Sequence, residues 1–217
     1  MGRMVETFGA DFEASDVLRL FPTFVWKAQV ASGVRQEIED DVLAKLDEMR
    51  RDAGAPAPGH GWQSKQDLHH LDEFQRLVAC IHDAAESVLE FLKIGDGAFE
   101  TTGLWANFNP KGAAHPVHSH PNNFLSGVYY LRTHDGADTV SFHDPRPQTG
   151  IIRPPVTKLT AENTDQVVVK VEDGSLLMFP SWLPHSVDAS GSDETRVSVS
   201  FNLMFSAFTE KMSKPLW

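Results

Sequence analysis

After Gly97 the chain breaks into six short strand-like runs, at 99–108, 123–131, 139–143, 167–171, 175–179 and 195–205. Short strands this closely spaced build a sandwich or a small barrel, not a parallel α/β sheet. The connections at 109–112, 135–136, 144–155 and 188–193 are polar or rich in Gly and Pro, the composition of turns. The segment 144–155 is long and proline-rich and reads as a functional loop or lid.

The texture before Gly97 is helical. Within 34–51, Val34, Ile38, Val42, Leu46 and Met49 recur at helical spacing among charges. Within 71–94, Phe74, Leu77, Val78, Ile81, Ala85, Val88, Leu89 and Leu92 form a second stripe, which Gly95-Asp96-Gly97 should stop. Between the two, 53–61 holds three Gly and two Pro and must be loop. Cys80 and His82 fall inside the second helix and read as packing or surface residues. The expected architecture is mainly β with N-terminal helices. With 217 residues, 41% of them hydrophobic, the chain can fill one sizeable core. One domain over 1–217 is expected, with a helical segment at 1–97 packing on a strand core at 98–210.

Composition narrows the function. Asp and Glu total 30 against 19 Lys and Arg, so the basic footprint of an extended nucleic-acid contact is missing. Cys80 is the only cysteine, which excludes an intrachain disulfide and fits a reducing compartment. Glu6, Asp11, Glu13 and Asp16 interrupt the N-terminal segment, position 6 does not suit myristoylation, and no stretch approaches the ~20 apolar residues of a spanning helix. A soluble cytoplasmic protein without a membrane contact is expected.

The chemistry lies in His118-Ser119-His120, with His185 following 65 residues after His120. Alternate residues of a strand face one way, so His118 and His120 can share a cavity while Ser119 points out. His185 follows the apolar run 175–184 at a turn that can aim its ring back inside. His115 and His134 read as surface residues. Three imidazoles suit iron, copper, nickel or zinc and leave coordination positions open. Eleven residues on, Arg196 begins a strand whose one face reads Val197, Val199, Phe201, Leu203 and whose other reads Arg196, Ser198, Ser200, Asn202. The plain reading of that polar face is contact with water. The functional reading is a guanidinium that grips a carboxylate bidentately with the Ser198 hydroxyl beside it, which points to a metal-dependent oxygenase with an anionic cosubstrate.

Taken together, Trp105-Ala-Asn107, His118-Ser-His120-Pro, Leu125-Ser-Gly-Val-Tyr-Tyr-Leu131, Asp144-Pro-Arg146, Leu177-Met-Phe-Pro-Ser-Trp-Leu-Pro-His185-Ser-Val and Arg196-Val-Ser-Val-Ser-Phe-Asn202 resemble the iron(II)- and 2-oxoglutarate-dependent oxygenases, more narrowly a bacterial His-x-His family among them. The resemblance covers about half the chain. It implies a double-stranded β-helix, a jelly roll or cupin-like barrel, with the two amphipathic helices flanking it. It implies Fe(II) held by His118, His120 and His185, 2-oxoglutarate anchored by Arg196 with Ser198 and Asn107 beside it, and decarboxylation to succinate coupled to hydroxylation of a C–H bond by O2. The substrate would be a small molecule or a peptide.

His120 stands where the superfamily norm is Asp or Glu. A third neutral imidazole leaves the metal more electropositive, unless Asp144 supplies a carboxylate from the long loop. Two other readings stay open. A cupin-like three-histidine dioxygenase would work without 2-oxoglutarate, since Gly112 to His118-x-His120 fits the first cupin motif and Gly174, Pro180 and His185 fit the skeleton of the second. The first motif lacks its glutamate after His120, and Trp182 stands where the second expects glycine. A non-catalytic metal-binding barrel would hold a metal without consuming oxygen. Asp144, Arg146, Trp182 and Tyr130 are further candidates for contact with the substrate.

Overall fold

The last strand is covered on both faces, and that arranges everything around it. The computed structural model describes residues 16–54, 61–95, 97–146 and 154–210. Its elements run β1 (Trp26–Gln29), α1 (Ser32–Ala53), β2 (Trp62–Gln63), α2 (Gln75–Leu92), β3 (Phe99–Asn109), β4 (His115–His118), β5 (Leu125–Arg132), β6 (Thr139–His143), β7 (Gln166–Lys170), β8 (Ser175–Pro180), β9 (His185–Val187), β10 (Arg196–Phe205) and α3 (Ser206–Thr209). The strands form a six-stranded sheet, β1-β8-β5-β10-β3-β2, and a four-stranded sheet, β4-β9-β6-β7. Every pairing between these strands is antiparallel. This is the double-stranded β-helix expected from the sequence.

β10 lies between β3 and β5. Its apolar face, Val197, Val199, Phe201 and Leu203, joins Ile38, Val42 and Leu46 of α1 and Leu77, Ile81, Ala85 and Val88 of α2 in one core. Each of these Val, Leu, Ile and Phe side chains contributes about 1.5–3 kcal/mol when fully buried. This is why both helical stripes lie against the larger sheet. A second core, Tyr130, Val140, Phe142, Leu177, Phe179 and Leu183, fills part of the space between the sheets. α1 is tied down further by Glu39, nearly buried, which takes Arg35 Nε at 2.6 Å and Arg132 Nη1 of β5 at 2.9 Å. No helix among the described residues is long and apolar enough to cross a membrane.

Several boundaries differ from expectation. The second helix starts at Gln75, after two 3-10 turns at Leu68–His70 and Asp72–Phe74. It stops at Lys93, not at the glycines. Lys93 takes a left-handed φ of 56°, its N–H reaching Glu90 O and the Ile94 N–H reaching Leu89 O. That hydrogen-bond pair is a Schellman ending, which caps the helix before Gly95 is reached. β1, β2, β4 and β9 were not legible because two to four residues carry no alternation signal; each exists through its pairing partner. The cores of the 53–61 and 144–155 loops, residues 55–60 and 147–153, lie outside the described residues.

Gly127 of β5 sits opposite Phe201. A Cβ there would lie 2.2 Å from the Phe201 ring and 2.3 Å from the Leu177 carbonyl oxygen. Gly127→Ala should therefore destabilise the fold by about 1–3 kcal/mol, seen as a lower urea midpoint. An unchanged midpoint would contradict the close packing at this position.

Candidate metal and anion site

Strand register delivers two of the three histidines. His118 closes β4 with its Cα directly opposite that of His185, which opens β9, and their ring centroids are 4.3 Å apart. His120 arrives differently from expectation: it lies two residues beyond β4, in irregular chain before a turn, so strand alternation does not aim it. Its backbone N–H donates to Ser181 O at 2.8 Å, and its ring stands 5.1 Å from each of the other two. One nitrogen from each ring lies within 4.8 Å of the others. Among the described residues this is the one such cluster of His, Cys, Asp or Glu, and it contains no carboxylate.

Backbone carbonyls orient two of the rings. His118 Nδ1 lies 2.8 Å from Pro116 O, and His185 Nδ1 lies 3.0 Å from Leu183 O. A carbonyl only accepts, so Nδ1 carries the proton in both, and each Nε2 keeps a lone pair for a metal. Burial pushes His120 and His185 down to about 4, with the neighbouring His118 adding to it in both and the Leu183 hydrogen bond opposing it in His185. Both rings are therefore neutral near pH 7, the form that binds a metal.

Arg196, Ser198 and Asn202 are 3%, 3% and 9% exposed. The polar face of β10 is therefore turned into the barrel, and the reading that placed it in water is overturned. The register sets Arg196 opposite Asn109, Ser198 opposite Asn107 and Ser200 opposite Trp105. Asn107 Nδ2 donates to Ser200 Oγ at 3.1 Å, and Trp105 stands 5.8 Å from the His120 ring. Arg196 Nη1 reaches Thr139 O at 3.4 Å, while its Nε is buried with no hydrogen-bond partner. Burial pulls its pKa below the usual guanidinium value. A buried cation without a carboxylate is costly, and an anion in the cavity would offset that cost.

These residues line one cavity of about 850 Å³. His118, His120, His185, Arg196, Ser198 and Asn107 all face it, as does Tyr130. Trp182 does not: it is 55% exposed on the turn before β9. Nor does Asp144, whose carboxylate is held by Arg146 at 2.5 Å and is absent from the histidine cluster. The suggestion that Asp144 completes a triad is thus corrected, because the adjacent guanidinium takes its charge. His134 pairs with Glu194. His82 bonds Thr101 Oγ1 at 3.0 Å and packs on Phe99, a packing role as expected. His115, read from the sequence as a surface residue, lines the cavity instead. Gln63, Gln66, Thr102, Asn122 and Asn123 also line it and lie outside every motif. Only their proximity across three separate segments reveals them.

Residues 103–202 match the family model described as "Putative 2OG-Fe(II) oxygenase", a span that includes all six site residues named from the sequence. No curated protein matches the chain. Among solved structures, the chain is similar to the non-haem alpha ketoglutarate dependent carbocyclase SnoK from nogalamycin biosynthesis, with a TM-score of 0.63 and 13% identity over 90% of each chain. It is similar to a prolyl hydroxylase from Trichoplax adhaerens in complex with a peptide fragment, with a TM-score of 0.58 and 14% identity over 88% of this chain and 87% of that one. It is also similar to HygX from Streptomyces hygroscopicus with nickel and 2-oxoglutarate bound, with a TM-score of 0.58 and 14% identity over 85% of this chain and 83% of that one. At these identities the likeness is one of fold.

The depressed histidines have a consequence for the metal-free protein. An unfolded histidine titrates near 6.5, the buried pair near 4. Between those values the unfolded chain binds more protons, so stability is complete above the unfolded value and falls as pH drops through the window. Thermal melts of metal-free protein should show Tm declining across it, and His185→Gln should flatten the slope; a slope identical in the variant would remove His185 as a source.

Proposed function

We infer that this chain, whose residues 103–202 match the model of a putative 2OG-Fe(II) oxygenase, is a non-haem iron(II)- and 2-oxoglutarate-dependent oxygenase that hydroxylates a small-molecule or peptide substrate. The observation that carries this reading is the unpartnered Nε of the buried Arg196, in the same cavity as a three-imidazole cluster. A metal alone gives a buried guanidinium nothing to bind; a dicarboxylate chelating the metal with its other end does.

The donor set fits the metal. Three imidazoles suit iron(II) and would leave coordination positions open for a keto acid and oxygen. When bound, the iron supplies oxygen activation coupled to oxidative decarboxylation of the keto acid. The chain's own groups do the rest. His118, His120 and His185 are the proposed ligands, and the Pro116 and Leu183 carbonyls hold two of them in the metal-binding tautomer. Arg196 and the Ser198 hydroxyl take the distal carboxylate, while Asn107, bonded to Ser200, borders the cosubstrate. Trp105 walls the ring of His120. The amides Gln63, Gln66 and Asn122, exposed where they line the cavity, are the proposed contacts for an entering substrate.

The neighbouring structures, one in complex with a peptide and HygX in another form with hygromycin B, support a substrate of either class. The shared core of α1, α2 and β10 supports one folding unit over 1–217. The free Cys80 supports a reducing, cytoplasmic setting.

Anaerobic titration with Fe(II) and then 2-oxoglutarate should produce the visible charge-transfer band of a chelated keto acid. Iron uptake without the band would reassign the barrel to cupin-like, 2-oxoglutarate-independent chemistry, with Arg196 gripping the substrate's own carboxylate. No iron uptake would sink the metal reading. His185→Ala should abolish iron binding while the far-ultraviolet dichroism stays that of the folded barrel; stoichiometric iron in the variant would remove His185 from the ligand set. Arg196→Ala should weaken 2-oxoglutarate by roughly 2–5 kcal/mol, the usual cost of deleting one half of a buried charge pair, and an unchanged affinity would place the anchor elsewhere.

A further inference from the structure

The cavity is lined by a fourth imidazole, His115, that the metal cluster does not use. His115, on β4, faces Val187 of β9, whereas the metal row is His118 opposite His185. Val187 is two residues beyond His185, which places the His115 row roughly 6–7 Å further along the barrel wall. Across the lumen, Arg196 and Asn109 are register partners, and the Asn109 side chain reaches His115 Nε2, with Nδ2 at 3.0 Å and Oδ1 at 3.3 Å. His115, Arg196, Val187 and Tyr130 all line the same cavity. This part of the cavity therefore carries a guanidinium whose Nε has no partner, an imidazole bonded to Asn109 at Nε2, and no carboxylate among the described lining residues.

From this juxtaposition we propose that His115, set by Asn109, is a second anion-binding residue that holds the distal carboxylate of the cosubstrate together with Arg196. The proposal rests on the 2-oxoglutarate reading above and extends it to a residue no motif marks. In the shorter of the two contacts the Asn109 amide donates to Nε2, which leaves the ring proton on Nδ1, free to donate to a carboxylate oxygen. Burial, with Arg196 and His118 nearby, holds His115 below the usual histidine range, so the ring is a neutral donor and adds no second buried cation. Asn109 is almost wholly buried and acts through His115 as a positioning residue. A guanidinium and a donor on opposite walls fix both the orientation and the depth of a carboxylate, so the pair would select a dicarboxylate of one length.

The test uses the iron-loaded full chain under anaerobic conditions and two keto acids with the same chelating head. 2-Oxoglutarate carries the distal carboxylate; 2-oxobutyrate does not. His115→Ala should raise the dissociation constant for 2-oxoglutarate about tenfold, the size expected for losing one hydrogen bond to a charged group, and leave that for 2-oxobutyrate and for iron unchanged. His115→Gln, which keeps a donor, should restore most of the loss. His115 lies on an edge strand and is only half-buried, so both variants should fold, which their melting temperatures check. Equal affinity for 2-oxoglutarate in wild type and His115→Ala would overturn the role of His115 while leaving the oxygenase reading intact. Equal weakening of both keto acids would overturn it too, as general damage to the site. A wild type that binds iron but neither keto acid would overturn the oxygenase reading and this proposal with it.

Discussion

Everything in this barrel depends on β10 being buried on both faces. A strand of a half-solvated sheet needs one apolar face; β10 has one, and it packs under α1 and α2. Its other face is polar, yet equally shielded, because the four-stranded sheet closes over it. Polar groups enclosed in this way must find partners. Ser200 and Asn202 find them: Asn107 Nδ2 donates to Ser200 Oγ at 3.1 Å, and Ser126 Oγ donates to Asn202 Oδ1 at 2.7 Å and bonds Ser181 Oγ at 2.8 Å. Arg196 Nε does not. On this face of β10 the unsatisfied buried group is thus the guanidinium of Arg196, which an anion in the cavity would complete.

The histidine cluster shows how a three-residue site is assembled from different kinds of constraint. His118 and His185 are set by register between two short strands, and their tautomers by carbonyls two residues before each. His120 is set by a backbone hydrogen bond to Ser181, itself locked into the Ser126–Asn202 chain. The ring outside the strand is therefore braced by the central strands β5 and β10. The cluster holds no carboxylate, and among the described lining residues Arg196 is the one fixed charge facing the cavity.

Much of this was legible in the sequence, for identifiable reasons. The helical stripes were clear because each extends over several turns of amphipathic periodicity; the polar and apolar faces of 195–205 were clear because a strand has a period of two. The histidines and Arg196 stood out by type and order. Short β4 and β9 did not, having too few residues to show a period, and so the mutual placement of His118 and His185 was hidden. His115 was misread because its neighbours Ala114 and Pro116 look like a surface turn. Asp144 was overrated because its partner, Arg146, could not be weighed before the ion pair was seen. The end of α2 was placed on glycines, whereas a Schellman hydrogen-bond pair ended it at a lysine.

The sequence by itself determined the fold class, the flanking helices and the residue types of the metal and anion site, because these follow from periodicity and from side-chain chemistry, both local properties of a chain. Only the tertiary structure decided which faces are buried, which carboxylate is already spoken for and which histidine shares the floor with Arg196. Those depend on strand register and sheet closure, which bring together residues as far apart as Asn107 and Ser200, and no local pattern encodes that distance.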